Sequence, residues 1–376
     1  PIVLPDLKAQ SQLAAFPYVS ATHDAVTDDD EYRVGVDLAW RPTPNTQLTA
    51  TLNPDFGAVE SDEVVVNLTA FETFFPEKRL FFLEGTEVFV TTPRSDLRRY
   101  RSTRQGSGAR ATPKTFMPEP TTLLNTRRIG GPPRHLKLPD GVEVNPVERG
   151  KPTDLLGAVK ATGAMGNFRY GFLGAFEDEV ELPGRVTATG KSIKVTEEGR
   201  DFGVLRALYE SSGKSRRSIG YMGTLVTLPE EDSTAHAIDA HYLSEKGTIK
   251  FDTQVMASDA AGLQGYGALA DLVYTQRRGL THFFGFDYID DQFNVGDLGF
   301  IRQNDIWSGQ YGMTLQGGGK PGDRFRYTRN AVFINAQTNT DGFLNRAGIF
   351  TNQTYLLQNT SQFFLFFSFF QLQPMN

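Results

Sequence analysis

A chain of 376 residues with net charge −6 and no cysteine has room for one large β architecture or two domains, and its acidic balance argues against generic nucleic-acid binding. No apolar run reaches the roughly 18 residues of a membrane-spanning helix, and residues 1–20 lack the basic start and apolar core of a signal peptide. Phe 29, Tyr 13 and Gly 37 at a mean hydropathy of −0.34 suit strands that alternate between lipid and lumen, and also a soluble β-sandwich.

The acids Asp28, Asp29, Asp30 and Glu31 lack the glycine and final glutamate of an EF-hand, so they read as a solvated turn and not as a calcium loop. Period-two alternation follows. Tyr32, Val34, Val36, Leu38 and Trp40 share one strand face, and Arg33, Gly35, Asp37, Ala39 and Arg41 the other. After a turn at 42–45, Leu48, Ala50 and Leu52 oppose Gln47, Thr49, Thr51 and Asn53.

Alternation stops at Asn53. From there to Phe89 the chain gathers Asp55, Glu60, Asp62, Glu63, Glu72, Glu77, Glu84 and Glu87. Phe71, Phe74 and Phe75 before Pro76 predict a short helix, capped by Asn67 or Thr69 and ending near Pro76. An insertion of this length between strands of one barrel folds back into the lumen, where its backbone finds partners that lipid would not offer. Its acids are expected to pair with Lys78, Arg79, Arg127 and Arg128, with Glu77, Lys78 and Arg79 as an ion-pair turn. Arg94, Arg98, Arg99, Arg101, Arg104 and Arg110 then lead into a Pro-rich stretch. They read as a long solvated loop, with an anion-attracting constriction or a lipopolysaccharide contact as the functional alternative.

Alternation resumes downstream. Phe168, Tyr170, Phe172 and Phe176 oppose Arg169, Leu173 and Glu177. Ile249, Phe251 and Val255 oppose Lys250, Asp252 and Gln254. Similar runs cover 266–275, 283–288 and 307–316. Runs of about 9–14 residues suit tilted membrane strands better than soluble ones. Residues 164–166 and 244–246 read as turns, 179–200 as a loop, and the total as about fifteen strands. Trp40, Tyr274, Tyr288, Trp307 and Tyr327 fall near strand ends, as interfacial girdles do. The Phe-rich run over 362–372 reads as an unpaired edge.

Three stretches carry a resemblance: NPDFGAVESD at 53–62, VNLTAFETFFPEKRLFFLEG at 66–85 and NTRRIGG at 125–131. They resemble the signature of a large bacterial family of unassigned function, in which a family-9-type carbohydrate-binding-like sandwich precedes an outer-membrane β-barrel. Ala58 stands where that pattern has Gln, and Thr126 where it has Ser. GFIRQND at 299–305 extends the likeness more loosely. The resemblance implies a location in the Gram-negative outer membrane, a barrel that runs on for more strands, and a missing front domain whose linker is 1–11. Residues 12–54 are then the first barrel strands, 55–125 the plug segment and Arg/Pro-rich loop, and 126–376 the remaining strands.

The expected fold is all-β: a transmembrane antiparallel barrel, incomplete in this chain, with an inward-folded plug containing a short helix. The plug signature comprises Asn53, Asp55, Glu60, Asp62, Asn67, Phe71, Glu72, Phe75, Glu77, Lys78, Arg79, Glu84, Arg127 and Arg128. The lumen is expected to be lined by Arg33, Asp37, Arg41, Arg169, Glu177, Lys250, Asp252 and Gln254. No histidine pair has metal-ligand spacing, and no nucleophile or phosphate-loop motif occurs, so no metal or cofactor is expected. The function read from this is passage or surface binding of a solute such as a glycan or peptide, with membrane lipid and lipopolysaccharide as surroundings. A structural anchor for a protein partner in an outer-membrane complex is the alternative. Glycan hydrolysis through Glu72, Glu77 and Glu84 is the third reading; acids this dense place a close pair by chance, and the reading is non-enzymatic.

Overall fold

The computed structural model describes residues 11–24, 29–56, 72–95, 118–229, 231–319 and 322–372. Its strands, in chain order, begin with β1 (Gln12–Asp24), β2 (Asp29–Thr43) and β3 (Thr46–Leu52). A four-residue helix α1 (Leu80–Leu83) follows, then β4 (Thr121–Thr122), β5 (Val142–Val144) and helix α2 (Pro146–Arg149). Next come β6 (Leu155–Met165), β7 (Phe168–Glu177), β8 (Val180–Val186) and β9 (Ser192–Glu197). Then β10 (Asp201–Ser212), β11 (Arg216–Thr227), β12 (Ser233–Leu243) and β13 (Ile249–Ala260) alternate with tight connections. The series ends with β14 (Leu263–Arg277), β15 (Leu280–Ile289), β16 (Phe300–Ile301), β17 (Ile306–Gly318), β18 (Phe325–Thr338), β19 (Leu344–Leu357) and β20 (Gln362–Leu372).

Fifteen of these strands form one antiparallel meander in the order β1-β2-β3-β6-β7-β10-β11-β12-β13-β14-β15-β17-β18-β19-β20. Among the described residues no pairing joins β1 to β20, so the observed architecture is a single large sheet with two edges. Because each strand reverses the last, connections alternate between its two ends. One end carries turns at 44–45, 166–167, 213–215, 244–248 and 278–279; the other carries short connections at 261–262 and 339–343 together with the long spans 53–154, 178–200 and 290–305.

The sheet's polarity is inverted relative to a soluble protein. One face shows Leu205, Ile219, Ile238, Val255, Phe284, Phe286 and Ile334 exposed. The opposite face buries Thr51, Lys160, Arg206, Asp239, Gln254, Asp271, Ser308 and Asn335. Pleating puts successive side chains on opposite faces, so each strand sorts its own residues this way. The polar face is covered by residues 72–95 and 118–134, whose Phe82, Val88, Phe89, Leu123 and Ile129 share one core with Ala158, Leu173, Val204, Met222 and Leu269 of the sheet.

Three expectations need correction. Residues 72–79 contain no helix; the turn of helix is α1, beyond Pro76. A residue before proline is pushed out of the α region, which opposes helix at Phe75; Asn67 and Thr69, its expected caps, lie outside the described residues. Residues 179–200 are not a plain loop: β8 and β9 form a hairpin that joins β5 in a separate three-stranded sheet around Val142, Val144, Leu182 and Val195. Finally, Tyr327 shares the parity of buried Arg329 and Ala331, so it belongs to the polar face and not to an outward girdle.

Candidate functional site

The chain from Glu72 to Arg94 lies on the polar face: residues 72–79 are fastened to 126–131 and Phe300, and from Phe81 to Arg94 strands β6, β7, β10, β13, β14 and β15 hold it in turn. Glu72 receives a bidentate pair from Arg128 at 2.6 and 2.7 Å. Phe74 packs edge-on against Phe300, with ring centroids 4.9 Å apart. Glu77 then accepts from the Arg79 guanidinium at 2.9 and 2.7 Å, from the Thr126 hydroxyl at 2.7 Å and from the Lys78 and Arg79 backbone N–H groups at 2.9 Å. Arg79 also donates to the carbonyls of Ile129 at 2.7 Å and Thr126 at 2.5 Å, and lies over the rings of Phe56 and Phe82. Every polar atom of this buried ion pair has a partner, the condition under which burying charge is tolerable.

At α1, the ammonium of Lys160 on β6 donates to the carbonyls of Phe81 and Glu84. It thereby satisfies orphan acceptors at a helix end. Phe89 packs over Gly171 of β7, where a Cβ would stand 2.8 Å from the ring. Arg206 of β10 donates to the Val88 carbonyl at 3.1 Å and reaches across β11 to Asp239 of β12 at 2.5 and 2.9 Å. It passes over Gly220, whose Cβ would lie 2.4 Å from the guanidinium. Thr91 meets Gln254 of β13 at 3.1 Å. Arg94, only 1% exposed, makes two 2.8 Å bonds to Asp271 of β14 and pairs with Asp287 of β15.

These partners follow from strand register. Asp239, Gln254, Leu269 and Asp287 are consecutive neighbours across β12 to β15, and His241, Asp252 and Asp271 form the adjacent row. Four strands thus each offer one inward aspartate. Arg206, His241, Lys250 and Arg94 answer them, with His241 2.7 Å from Asp252 and 3.0 Å from Asp239, and Lys250 3.1 Å from Asp252. The returning chain is held the same way. The Gly130 N–H donates to Glu177 at 2.7 Å; Arg200 pairs with Glu177 and donates to the Arg128 and Gly131 carbonyls. Arg302 and Arg346 pair with Glu119, and β4 pairs with β16.

All eight expected lining residues lie at polar-face positions, mostly as members of ion pairs. Arg33 meets Asp154, Arg41 meets Glu84 at 3.3 Å, and Arg169 meets Glu210 at 3.4 Å. Asp37 is exposed. Of the expected signature, Asn53 turns the chain at φ 47° and donates to the Val34 carbonyl, and the Asp55 N–H donates to Tyr18. Phe75 and Arg127 are half-buried. Glu60, Asp62, Asn67 and Phe71 lie outside the described residues, as do Arg98, Arg99, Arg101, Arg104 and Arg110. Arg94 overturns the solvated reading of its own position: it is buried, because two aspartates distant in sequence enclose it.

Burial alone would raise the Glu77 carboxyl, but the hydrogen bonds and charge of Arg79 hold it below 4.5; Glu72 is lowered likewise by Arg128. A carboxyl lowered on folding stabilises the docked state above its unfolded pKa, and that contribution disappears as pH falls through the folded value. Amide protection of 72–95 is therefore expected to persist at neutral pH and to fall only below about pH 4.5, readable by hydrogen exchange across a pH series. Protection that is already lost near pH 6 would refute the assignment of these two carboxylates.

A family model described as a domain of unknown function (DUF5916) matches residues 10–96 and 118–375. The chain belongs to the DUF5916 family. No curated protein matches it. The DUF5916 match takes in the meander, the docked segment, Arg94 and both of its aspartate partners.

Proposed function

We propose that this DUF5916 chain forms the wall and plug of an outer-membrane β-barrel that governs passage or surface binding of a solute. The observation that carries the proposal is the inverted polarity of the sheet. Large apolar side chains stand exposed along one face while charged and amide groups are buried on the other. In water this exposes far more contiguous apolar surface than a soluble monomer tolerates; against lipid it is the required arrangement. That the three long connections all fall at one end of the sheet fits the same reading. So does the resemblance of 53–85 and 125–131 to proteins whose barrel follows a carbohydrate-binding-like domain, which makes a glycan a natural solute class to try first.

The ion pairs around Arg79, Arg94 and Arg206 favour a sealed or gated lumen over an open pore, and a sealed barrel would equally serve as an anchor for a partner. Glu72 and Glu77 are held by arginines, which suits fastening better than acid–base catalysis.

The two tryptophans provide the test. Trp40 and Trp307 are both 44% exposed on the apolar face, near opposite ends of the sheet. Folded in lipid vesicles, both are expected to be quenched by brominated acyl chains and shielded from aqueous iodide, as interfacial tryptophans are. Efficient iodide quenching with no effect of brominated lipid would overturn the membrane assignment.

A further inference from the structure

The polar face changes character along the sheet. Strands β12 to β15 each carry an inward aspartate, whereas β17, β18, β19 and β20 contain no aspartate or glutamate at all. That carboxylate-free wall nevertheless buries Arg329 and half-buries Arg346. Arg346 is answered by Glu119 at 3.6 Å. Arg329, 5% exposed, has no acidic partner among the described residues, and its Nε is buried without a hydrogen-bond acceptor.

Register supplies the surroundings. Arg329 on β18 stands directly opposite Gln316 on β17 and Thr354 on β19, so the three Cβ atoms lie about 5 Å apart along one row. The Thr354 hydroxyl is itself buried without a partner. Gln316 is exposed, and the row lies near the end of the sheet that carries the short turns, which opens it to solvent. A guanidinium, a hydroxyl and an amide in line can all donate. A buried cation with no carboxylate beside it is costly, and a planar guanidinium fork matches a two-oxygen anion.

We propose that the Gln316–Arg329–Thr354 row is a binding site for an anionic group, a carboxylate or a phosphate, carried by a solute that enters from the short-turn end. The guanidinium of Arg329 provides the charge and two parallel donors, and Thr354 and Gln316 flank it with neutral ones. The wall contributes no competing carboxylate. The site requires only the folded sheet, so it is testable whether or not the lumen conducts.

The test is calorimetric titration and thermal unfolding of the full chain folded in detergent micelles, with inorganic phosphate and with acetate, each against chloride at matched ionic strength. At least one of the two anions is expected to bind saturably and raise the unfolding midpoint. Phosphate alone would identify a phosphoryl group as the ligand, and acetate alone a carboxylate. Arg329→Gln is expected to weaken that binding by about tenfold or more, and without added anion to unfold no earlier than the wild type, since it removes an unanswered buried charge. Thr354→Val should weaken binding by a smaller factor. If Arg329→Gln fails to fold, Arg329→Lys keeps the charge without the fork and is expected to bind more weakly than the wild type. An unchanged anion response in a folded Arg329 variant, or no response beyond chloride in the wild type, would overturn the proposal.

Discussion

Arg94→Ala is expected to undock the segment that covers the polar face while leaving the sheet intact. Arg94 answers two carboxylates at once, so its removal strands Asp271 and Asp287 in a buried position. Breaking a buried pair by deleting one partner costs about 3–5 kcal/mol. The α1 to Arg94 stretch has few other fastenings of comparable strength: Lys160 on two carbonyls, Arg206 on one, and the Thr91–Gln254 bond. Hydrogen exchange over 80–95 should therefore rise by orders of magnitude, while the amides of β10 to β15 remain protected. In planar bilayers the wild type is expected to be nearly silent and the variant to conduct, with cation preference, because two aspartates become free. Arg94→Lys should give an intermediate result, since a point charge cannot reproduce the bidentate bond to Asp271. Combining Arg94→Ala with Asp271→Asn and Asp287→Asn should recover part of the lost protection, as coupled groups do. Unaltered exchange in Arg94→Ala would mean that the segment is held chiefly by its apolar contacts with the sheet, and that the arginine is incidental.

The difference between what the sequence shows and what it hides follows from the range of the forces involved. Residues 168–177 alternate without interruption, and β7 spans them end to end, because each side chain chooses between two environments on its own account. Arg94 had no such local cue. Its partners lie 177 and 193 residues away, and the arginines, glycines and prolines that follow it have the composition of a solvated loop. The inward aspartates of β12 to β15 were recognisable as polar-face residues, but only register reveals that they fall in two adjacent rows. The phenylalanines before Pro76 misled in a different way. Phe74 and Phe75 lie in a stretch without helix, and Phe74 packs its ring on Phe300, far along the sequence. Pro183 and Gly184 hide the β8 strand, since both weaken any strand signal; Pro183 lies just outside the three residues of β8 that pair with β5, so it has a neighbour on the β9 side only. Lys160 and Arg206, which hold backbone carbonyls of the docked segment, had no sequence signature because a carbonyl acceptor has none.

The apolar face gives the second large effect. Ile238 sits midway along β12, 52% exposed, with Tyr221 and Val255 as cross-strand neighbours. On a soluble sheet an exposed isoleucine is replaceable, and Ile238→Arg should change stability by no more than about 0.5 kcal/mol. On a lipid-facing strand the same arginine stands near the bilayer midplane and should cost about 2–4 kcal/mol. The position within the strand matters as much as the face. Leu243→Glu, at the short-turn end of the same strand but on the opposite face, places a carboxylate directly opposite Arg216 and Lys250 and should be tolerated in either setting. Urea unfolding from lipid vesicles, compared across these two variants, separates depth in a membrane from simple exposure. A large penalty for Ile238→Arg alone would require hydrocarbon against β12. Equal, small penalties would require water there, and the exposed apolar face would then need a protein partner to cover it.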